Sequence, residues 1–423
     1  MFNIIKDGQG MTDHEFDLDK IISTRSIETH FQPIISIKKK RIIGLEALTR
    51  ATNPESGLRI SPLDLFKAAE QTGKTVEIDR LCRDTAFAGF APIHRQHPEI
   101  LLFINFDTSM VDKGIVGSGN FLRMARKCGI NTSNIVIELV ESRVRDVESL
   151  LKFISMYRSL GFLIALDDFG AGHSNLERIS RIKPEIIKID RSLVQNVDQE
   201  FYKQEILRAI IKLSNQLGVM VLSEGVETYQ EVMKTLEFDT DLLQGFFFSR
   251  PRPFNRLEMA GIADNIGKTA SDHFSSVMKR IKKQEESFAD YQTLADSILS
   301  RLKKNQGKGR LEETLHRLIQ DHSRIECAFI LDRSGRQKSA TLLNSRALSK
   351  TKLNSLFRPA DRGDDHSLKD YYVYLRAGLE QFITETYISL ATGNLCRTIA
   401  LSCTLDEEEE AILCLDMKEN HLN

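Results

Sequence analysis

The amino-acid sequence predicts an α/β protein made of a (β/α)8 barrel with an antiparallel first strand, a long helix and a smaller α+β domain. Apolar runs alternate with segments of helical period from about Thr29 to Pro253, and eight runs over about 220 residues fit a closed barrel better than an open sheet. The first two runs lie too close together to be parallel. After Pro253 the alternation ends, which predicts a second domain.

The predicted strands are short runs of apolar and β-branched residues, with the predicted helices between them. The strand runs are Phe31–Ile37, Ile42–Leu48, Leu101–Phe106, Ile135–Val140, Phe162–Leu166, Ile186–Ile189, Val219–Leu222 and Leu242–Phe248. The helical segments are Pro62–Thr72, Glu77–Phe90, Asn120–Cys128, Val147–Leu160, Gln204–Leu217 and Tyr229–Leu236. Nearly continuous apolar strands separated by helices indicate a parallel sheet covered on both faces.

Only the basic turn 38–41 separates the first two strand runs. Parallel neighbours need a crossover of about a dozen residues or more, so strands joined this closely must pair antiparallel. The sequence therefore predicts a variant TIM-like barrel whose first strand runs against its neighbours.

Composition predicts an ordinary globular protein of the cytoplasm. The 423 residues are 28% charged and 41% hydrophobic with a formal net charge of −1, which gives no charge excess to recruit a nucleic-acid polymer. The six cysteines form no Cys-x-x-Cys pair, which favours reduced thiols over disulfides or zinc. The polar N-terminus lacks the apolar core of a signal peptide. The sequence contains no run of about 18 apolar residues, so no membrane insertion is predicted.

Polar residues recur at the ends of the predicted strands. Because the carboxyl ends of barrel strands meet at one rim, these side chains would point into a single cup. They are Glu46, Asn105, Glu138, Asp167, Asp168, Lys188, Glu224 and Gln244. An isolated Asp-Asp pair also suits a solvated turn with a helix cap, and a strand lysine also suits an exposed face. The repeated placement at strand ends favours the cup.

The chemistry of this cup follows from its donors. Carboxylates and one amide are hard oxygen ligands, which select Mg²⁺ or Mn²⁺ over zinc. Five carboxylates exceed the need of one divalent ion and suggest a pair of ions, the usual arrangement for displacement at phosphorus. Lys188 would then donate to an attacking water or help to orient it.

The order of short motifs resembles that of the EAL-domain cyclic di-GMP phosphodiesterases of bacterial signalling. Glu46-Ala47-Leu48 lies inside GLEALTR and matches the tripeptide that names the family. FQPI precedes it, and INFDTS, IELVES, LDDFGAGHSNL, IKID, SEGVE and LLQGFFFSRP follow in that order, over more than half of the chain. The resemblance implies metal-dependent hydrolysis of cyclic di-GMP to the linear dinucleotide pGpG.

The resemblance also implies roles for individual residues. The ligands of two Mg²⁺ or Mn²⁺ ions, with Asp167 shared between them, would be Glu46, Asn105, Glu138, Asp167, Asp168 and Glu224. The catalytic set would be Lys188, Glu46, Glu224 and the supporting Asp190. Substrate contacts would be Gln32, Leu48, Arg50, Asp241 and Gln244. The residues that couple a barrel homodimer to metal occupancy would be Glu141, Phe169 and Gly170, the last two in the loop that ends at Asn175.

A long helix is predicted from a cap at Ser271 to about Asn305. Apolar residues recur every seven positions in it, at Phe274, Ile281, Phe288, Ala295 and Leu302. This spacing predicts a coiled-coil-like strut or dimer seam, and the alternative is a helix packed on its own domain.

The last segment, from Leu311, predicts antiparallel strands with helices on one side. This order resembles the PAS and Cache group of sensor domains, and ISLATGNLCRTIALSC resembles the hairpin of cytosolic Cache-like modules. The predicted division of the chain is a lead-in at 1–20, a barrel at 21–266, a connecting helix at 267–308 and a PAS/Cache-like sensor of an unknown ligand or protein partner at 309–423.

The leading functional hypothesis is an active cyclic di-GMP phosphodiesterase regulated by the C-terminal domain. The alternatives are a catalytically silent cyclic di-GMP receptor and a dimeric signalling scaffold. The complete set of predicted ligands favours the enzyme, because a silent receptor usually lacks one or more of them.

Overall fold

The computed structural model describes residues 16–108, 119–139, 146–171, 176–304, 311–345, 358–405 and 409–418. Two compact units divide the chain, Met1–Met278 and Lys279–Asn423. Among the helices in the described ranges, none carries an apolar stretch long enough to cross a lipid bilayer.

The first unit contains nine strands and ten helices in its described part, the last helix continuing into the second unit. The strands are β1 Ile27–Ser36, β2 Arg41–Thr52, β3 Arg59–Ile60, β4 Leu101–Phe106, β5 Ile135–Leu139, β6 Leu163–Phe169, β7 Ile186–Ile189, β8 Met220–Glu224 and β9 Leu242–Gln244. The helices are α1 Leu18–Thr24, α2 Pro62–Gln71, α3 Thr75–Gln96, α4 Asn120–Cys128, α5 Val147–Ser159, α6 Leu176–Ile182, α7 Arg191–Val194, α8 Phe201–Gln216, α9 Tyr229–Glu237 and α10 Met259–Lys304. Short 3-10 turns lie at Thr132–Asn134 and Phe254–Arg256.

The sheet closes into an eight-stranded barrel, which confirms the predicted fold class. Strands β2 and β4 to β9 pair in parallel in chain order, and β1 pairs antiparallel with both β2 and β9. The two-residue strand β3 lies outside the barrel, against β2. The first strand therefore runs against both neighbours, as the short turn 38–41 predicted.

The interior of the barrel is an apolar layer below a polar rim. Phe103, Val136, Ala165, Ile186 and Leu222 are fully buried and form one cluster. Gly44 faces this layer without a side chain, and a Cβ there would lie 2.5 Å from the Phe103 ring. The glycine therefore makes room for the largest side chain of the layer.

Three predictions about where helices and strands of the first unit begin or end are wrong. The lead-in predicted at 1–20 contains the start of α1, which Asp17 caps and which buries Leu18 and Ile21. The run Leu242–Phe248 forms a strand only as far as Gln244. The break predicted near 267–271 does not exist, because α10 is continuous from Met259.

The second unit is an antiparallel sheet with helices. Its elements after α10 are α11 Leu311–Gln320, β10 Ile325–Asp332, β11 Leu342–Leu343, α12 Asp370–Arg376, β12 Gln381–Ile383, β13 Tyr387–Ile388, β14 Leu395–Leu405 and β15 Glu409–Lys418. The strand order is β11-β10-β15-β14-β12, with β13 also paired to β14. Residues 381–388 thus contribute two short strands, β12 and β13. This sheet is compatible with the predicted small α+β domain.

Candidate active site

The polar rim follows from the alternation of side chains along each strand. Residues two apart share a face, so a polar residue two positions after an inward apolar one also points into the barrel. This relation places five side chains in one layer above the apolar cluster, namely Asn105, Glu138, Asp167, Lys188 and Glu224. On β2 the same face carries Gly44 and then Glu46. The structure therefore brings these residues together at the carboxyl ends of the strands.

Lys188 lies at the centre of this layer and is surrounded by carboxylates. Its Nζ atom lies 2.7 Å from Glu138 Oε1, 2.7 Å from Glu224 Oε1, 3.1 Å from Asp167 Oδ1 and 3.5 Å from Glu46 Oε1. The Lys188 and Glu138 side chains are completely buried, and the other three acids are 3–6% exposed. An ammonium group in this position compensates charges that would otherwise be costly to bury.

The buried charges shift the protonation equilibria of the site in a consistent way. Burial raises the pKa of Glu138 and of Asp167, although Lys188 acts in the opposite direction. Burial likewise raises the pKa of Glu224 to about 8. Burial alone would lower the pKa of Lys188, but the surrounding carboxylates, Asp167 first among them, outweigh it and hold that pKa well above its ordinary value. Lys188 is therefore an ammonium ion at every physiological pH.

Two adjacent aspartates end β6 at a local irregularity. The pairing of β6 with β7 shifts register between Leu166 and Phe169, and Asp168 has a left-handed φ of 54°. The Asp168 amide donates to Asp167 Oδ1 at 2.9 Å. The charge of Asp168 also acts on Asp167 and raises its pKa, after the larger effect of burial. The bulge thus keeps both carboxylates near the rim, where a regular strand would send them to opposite faces.

A chain of amides links the acids to the neighbouring strands β1 and β9. The Gln244 Nε2 atom donates to Glu46 Oε2 at 2.5 Å and to Gln32 Oε1 at 3.2 Å. Gln32 in turn donates to the Ser249 carbonyl at 3.1 Å. The Asn105 Nδ2 atom donates to Glu46 Oε1 at 3.3 Å. Glu46 is therefore the residue on which the ammonium and the amides converge.

Two clefts open beside the rim and share Leu48. One, of about 500 Å³ and open to solvent, is lined by Gln32, Glu46 and Gln244. The other, of about 660 Å³, is lined by Arg50, Asn105 and a buried Arg83–Asp79 ion pair. Four of the five predicted substrate contacts, all except Asp241, thus divide between two clefts.

The first cleft also contains residues that the sequence did not single out. Arg191 and Glu227 line it and form an ion pair at 3.0 Å. Each comes within three positions of a strand end, Arg191 after β7 and Glu227 after β8. Arg191 directly follows IKID and Glu227 is the last residue of SEGVE, and these positions were the signal that could have identified them.

Two predicted site residues lie elsewhere. Asp190 caps α7, where its carboxylate accepts from the Ser192 amide at 2.9 Å, and within the described chain it is not among the ion-pair partners of Lys188. Asp241 accepts from the Val221 amide at 3.0 Å and pairs with Lys38 at 3.1 Å. Val221 lies near the start of β8, about 10 Å along the strand from the end that reaches the rim. Asp241 therefore lies towards the opposite end of the barrel.

The predicted coupling residues are only partly visible. Glu141 lies outside the described residues, as do residues 172–175 of the loop. Phe169 is buried at the end of β6, and its carbonyl accepts from the Asp190 amide at 2.9 Å. Gly170 has a φ of 102°, and a Cβ there would lie 2.3 Å from Leu193. A side chain at position 170 would therefore require the Leu193 side chain to move.

The donor set suits a hard divalent cation. Five carboxylates and one ammonium give this cluster a formal charge of −4, counted over Glu46, Glu138, Asp167, Asp168, Glu224 and Lys188. The buried Glu138 Oε2 atom has no hydrogen-bond partner among the described residues. An orphaned carboxylate oxygen in an excess of negative charge is a natural cation ligand.

The arrangement of these acids is nevertheless that of a cage around an ammonium group. In the described part of the chain, no three acidic, histidine or cysteine side chains converge as a preformed metal site. The Lys188 ammonium occupies the space between them. Divalent ions would therefore have to compete with this ammonium for the same carboxylates.

Comparisons with known proteins agree with this geometry. The sequence profile of the family described as "EAL domain" matches residues 16–251. The signaling protein YkoW of Bacillus subtilis is 30% identical over 249 residues, which cover 58% of this chain and 30% of that protein. The cyclic di-GMP phosphodiesterase NbdA of Pseudomonas aeruginosa is 28% identical over 250 residues, which cover 58% of this chain and 31% of that protein. The chain thus spans under a third of the length of either relative.

A solved structure extends the likeness to the fold of nearly the whole chain. It is the Bacillus subtilis YkuI protein, with an EAL domain, in complex with substrate c-di-GMP and calcium. The TM-score is 0.79 at 20% sequence identity, and the match covers 96% of this chain and 100% of that chain. At this identity the likeness concerns the fold alone.

Proposed function

Because this chain belongs to the EAL domain family, we propose that it is a phosphodiesterase that hydrolyses cyclic di-GMP to linear pGpG. The similarity to the cyclic di-GMP phosphodiesterase NbdA supports the reaction class and the substrate. The observation that carries the proposal is the buried layer in which four carboxylates surround the Lys188 ammonium. A purely structural barrel would have no reason to bury so many like charges, because each is costly to desolvate.

We propose that the reaction depends on Mg²⁺ or Mn²⁺, with two ions in each barrel. The residues that would hold them are Glu46, Asn105, Glu138, Asp167, Asp168 and Glu224. When bound, such ions supply Lewis acidity that polarises a phosphoryl oxygen and makes water a stronger acid. The negative charge of the cluster and the orphaned Glu138 oxygen support this assignment.

The residues of the chain have separable roles in this proposal. Lys188 keeps its proton, so it acts as a hydrogen-bond donor that orients the attacking water and not as a base. Gln244 and Gln32 fix the Glu46 carboxylate on the substrate side. Arg50, at the mouth of the second cleft, suits a phosphate oxygen because its guanidinium donates in a planar fork.

The experiment that tests the proposal is a hydrolysis assay on the full chain. Cyclic di-GMP is incubated with protein and MnCl₂ or MgCl₂, and linear product is separated by chromatography. The expected result is metal-dependent formation of pGpG, abolished by EDTA and by Glu46→Gln. Glu70→Gln, an exposed change on α2, is the matched control and should retain wild-type turnover.

A second candidate function is a catalytically silent cyclic di-GMP receptor or signalling scaffold. The observation that favours it is that the Lys188 ammonium lies 2.7 Å from both Glu138 and Glu224 and by itself compensates part of their charge. A receptor would bind cyclic di-GMP tightly, and a scaffold would not need it, but neither would release linear product with either metal. That outcome would overturn the enzymatic proposal.

We also propose that the chain forms a homodimer through the barrel and the first part of α10. Phe274, Ile281 and Phe288 recur every seven residues and are 67%, 42% and 46% exposed. Further along, Ala295 and Leu302 are buried in the core of the second unit. The exposed heptad positions suit a second copy of the same helix, because a seam of this period is complementary to itself.

The C-terminal unit would act as a PAS/Cache-like sensor that regulates the barrel.

A further inference from the structure

The second unit contains a cavity of about 1350 Å³ that is open to solvent. Its wall includes Phe329 of β10, Tyr371 of α12, Tyr387 of β13 and Asp416 of β15. Four elements distant in sequence thus contribute to one concave surface. Cavities of this kind are the usual location of small-molecule sites.

Asp416 places a buried carboxylate at this cavity. The residue is 3% exposed. Its Oδ1 atom accepts from Thr398 Oγ1 at 2.8 Å and from Tyr387 OH at 3.4 Å, and its Oδ2 atom accepts from Ser389 Oγ at 3.2 Å and from Cys327 Sγ at 3.3 Å. These donors are all uncharged. Over the described ranges no lysine, arginine or histidine lies within ion-pair distance of Asp416, although buried carboxylates are normally paired with a cation.

Gln337 adds a second acceptor to the same cavity. The residue is 2% exposed, and its Oε1 atom has no hydrogen-bond partner among the residues that the structure describes. The orientation of the amide is fixed, because its Nε2 atom donates to the Ser339 and Ala360 carbonyls at 3.0 and 3.2 Å. A flipped amide would place oxygen against these carbonyls. The cavity therefore presents an unsatisfied acceptor as well as an unpaired carboxylate.

Aromatic rings complete the lining. Phe329, Tyr371 and His366 form a cluster with ring centroids 5.2–6.2 Å apart. Their faces offer a favourable environment for an organic cation, because the ring quadrupole is negative above the plane. The His366 Nδ1 atom is occupied by the Tyr371 hydroxyl at 2.6 Å.

We propose that this cavity binds a small organic cation, a protonated amine whose ammonium group pairs with Asp416 and donates to Gln337 while its carbon skeleton packs on the aromatic rings. The lining also carries Arg358 and Lys369, but four acids outnumber them, namely Asp364, Asp370, Glu385 and Asp416. A carboxylate-bearing anion is therefore disfavoured. This inference does not depend on the activity of the barrel.

The test is isothermal titration calorimetry on the full chain with matched probes. Phenethylammonium is compared with phenethyl alcohol and phenylacetate, which have nearly the same shape but are neutral or anionic. Methylammonium and spermidine, a smaller and a longer amine, test which size of ligand the cavity accepts. At least one ammonium probe should bind with a Kd below about 1 mM, and the alcohol and the acid should bind at least about tenfold more weakly.

Variants locate the binding. Asp416→Asn should weaken binding of the ammonium probe at least about tenfold. The variant should still fold, because an amide in place of Oδ2 can donate to the Ser389 hydroxyl. At the exposed rim, Glu385→Lys should also weaken binding by charge repulsion. Glu380→Lys makes the same charge change at an exposed residue outside the cavity lining and should have no effect.

Three outcomes would overturn the proposal. One is the absence of binding by every ammonium probe. Another is equal or tighter binding of phenylacetate. The third is ammonium binding that both Asp416→Asn and Glu385→Lys leave unchanged, which would place the amine at another site, such as the acidic rim of the barrel.

Discussion

Lys188 and Glu138 form an ion pair at 2.7 Å in which both side chains are completely buried. Lys188 is the penultimate residue of β7 and Glu138 that of β5, so two strands that are not neighbours in the barrel meet across its rim. The second Glu138 oxygen lacks a hydrogen-bond partner in the described chain. One ammonium therefore compensates part of the charge of several acids and leaves this carboxylate oxygen without a hydrogen bond.

Lys188→Met should abolish turnover and make stability depend on metal. Removing the ammonium leaves buried carboxylates without a counter-charge, which should cost about 3–5 kcal/mol of unfolding free energy in EDTA. MnCl₂ should then restore more stability to the variant than to the wild type, because the ions no longer compete with an ammonium. Urea unfolding followed by circular dichroism measures both effects.

Lys152→Met is the matched control for that experiment. Lys152 pairs with Glu148 at 2.7 Å on the exposed face of α5, and its removal should change neither stability nor turnover measurably. Wild-type turnover in Lys188→Met would refute the catalytic assignment.

The metal-free protein should lose stability as the pH rises from about 5 to 8. Burial raises the pKa of Glu224 from 4.5 to about 8, so in this window the folded state holds a proton that the unfolded state releases. A group of this kind stabilises the fold at low pH, and its contribution declines by up to about 1.4 kcal/mol per pH unit until its folded pKa is passed. Lys188 is protonated in both states throughout the window and does not oppose the trend.

Glu224→Gln should flatten this dependence, since the amide does not titrate. The measurement is the free energy of unfolding in EDTA at several pH values, with Glu70→Gln as a control that keeps the wild-type slope. A slope of the opposite sign in the wild type would contradict the assigned protonation states.

Arg50→Ala should raise KM for cyclic di-GMP about ten- to a hundredfold with a smaller change in kcat. Arg50 lines the second cleft, and the loss of one charge-assisted hydrogen bond to a phosphate costs about 1.5–3 kcal/mol of binding. Arg41→Ala, at the exposed beginning of the same strand, should leave both constants unchanged. A fall in kcat at constant KM would instead place Arg50 in the chemical step.

Ile281→Glu should raise the dissociation constant of the proposed dimer about tenfold or more, because a charge enters the apolar heptad seam. Ser276→Glu makes the same change in charge on another face of α10 and should leave the association intact. Sedimentation velocity over a range of concentrations measures both. Equal dissociation in the two variants, or in neither, would argue against the seam.

The sequence predicted the barrel strands well because they are buried on both faces and therefore apolar along their whole length. It failed where a tertiary contact decides the structure. The run 242–248 is apolar apart from Gln244 and Gly245, but a Cβ at Gly245 would lie 1.9 Å from the Val226 carbonyl, and this close approach ends β9. The helix α1 lies in a polar segment and is held by Leu18 and Ile21, whose burial cannot be read locally.

The rim was predictable to the extent that it obeys strand periodicity. Position at a strand end placed Glu46, Glu138 and Glu224 together, but it could not show that the lysine lies at the centre of the acids. Asp241 was misplaced because it is only three residues from Gln244. Because β9 has only three residues, this separation is enough to move a side chain from the rim towards the opposite end of the barrel.

The reversed first strand has a consequence for how the site is assembled during synthesis. The hairpin β1–β2 sets Gln32 opposite Glu46 through local pairing alone, whereas β1 meets β9 through the single pair Ile35 and Leu243. The hairpin therefore brings two members of the amide network side by side, and Gln244, which donates to both, joins them only after the last barrel strand has emerged from the ribosome. The seam between β1 and β9 should accordingly be the last to gain protection in pulse-labelled hydrogen exchange and the first to lose it on partial unfolding.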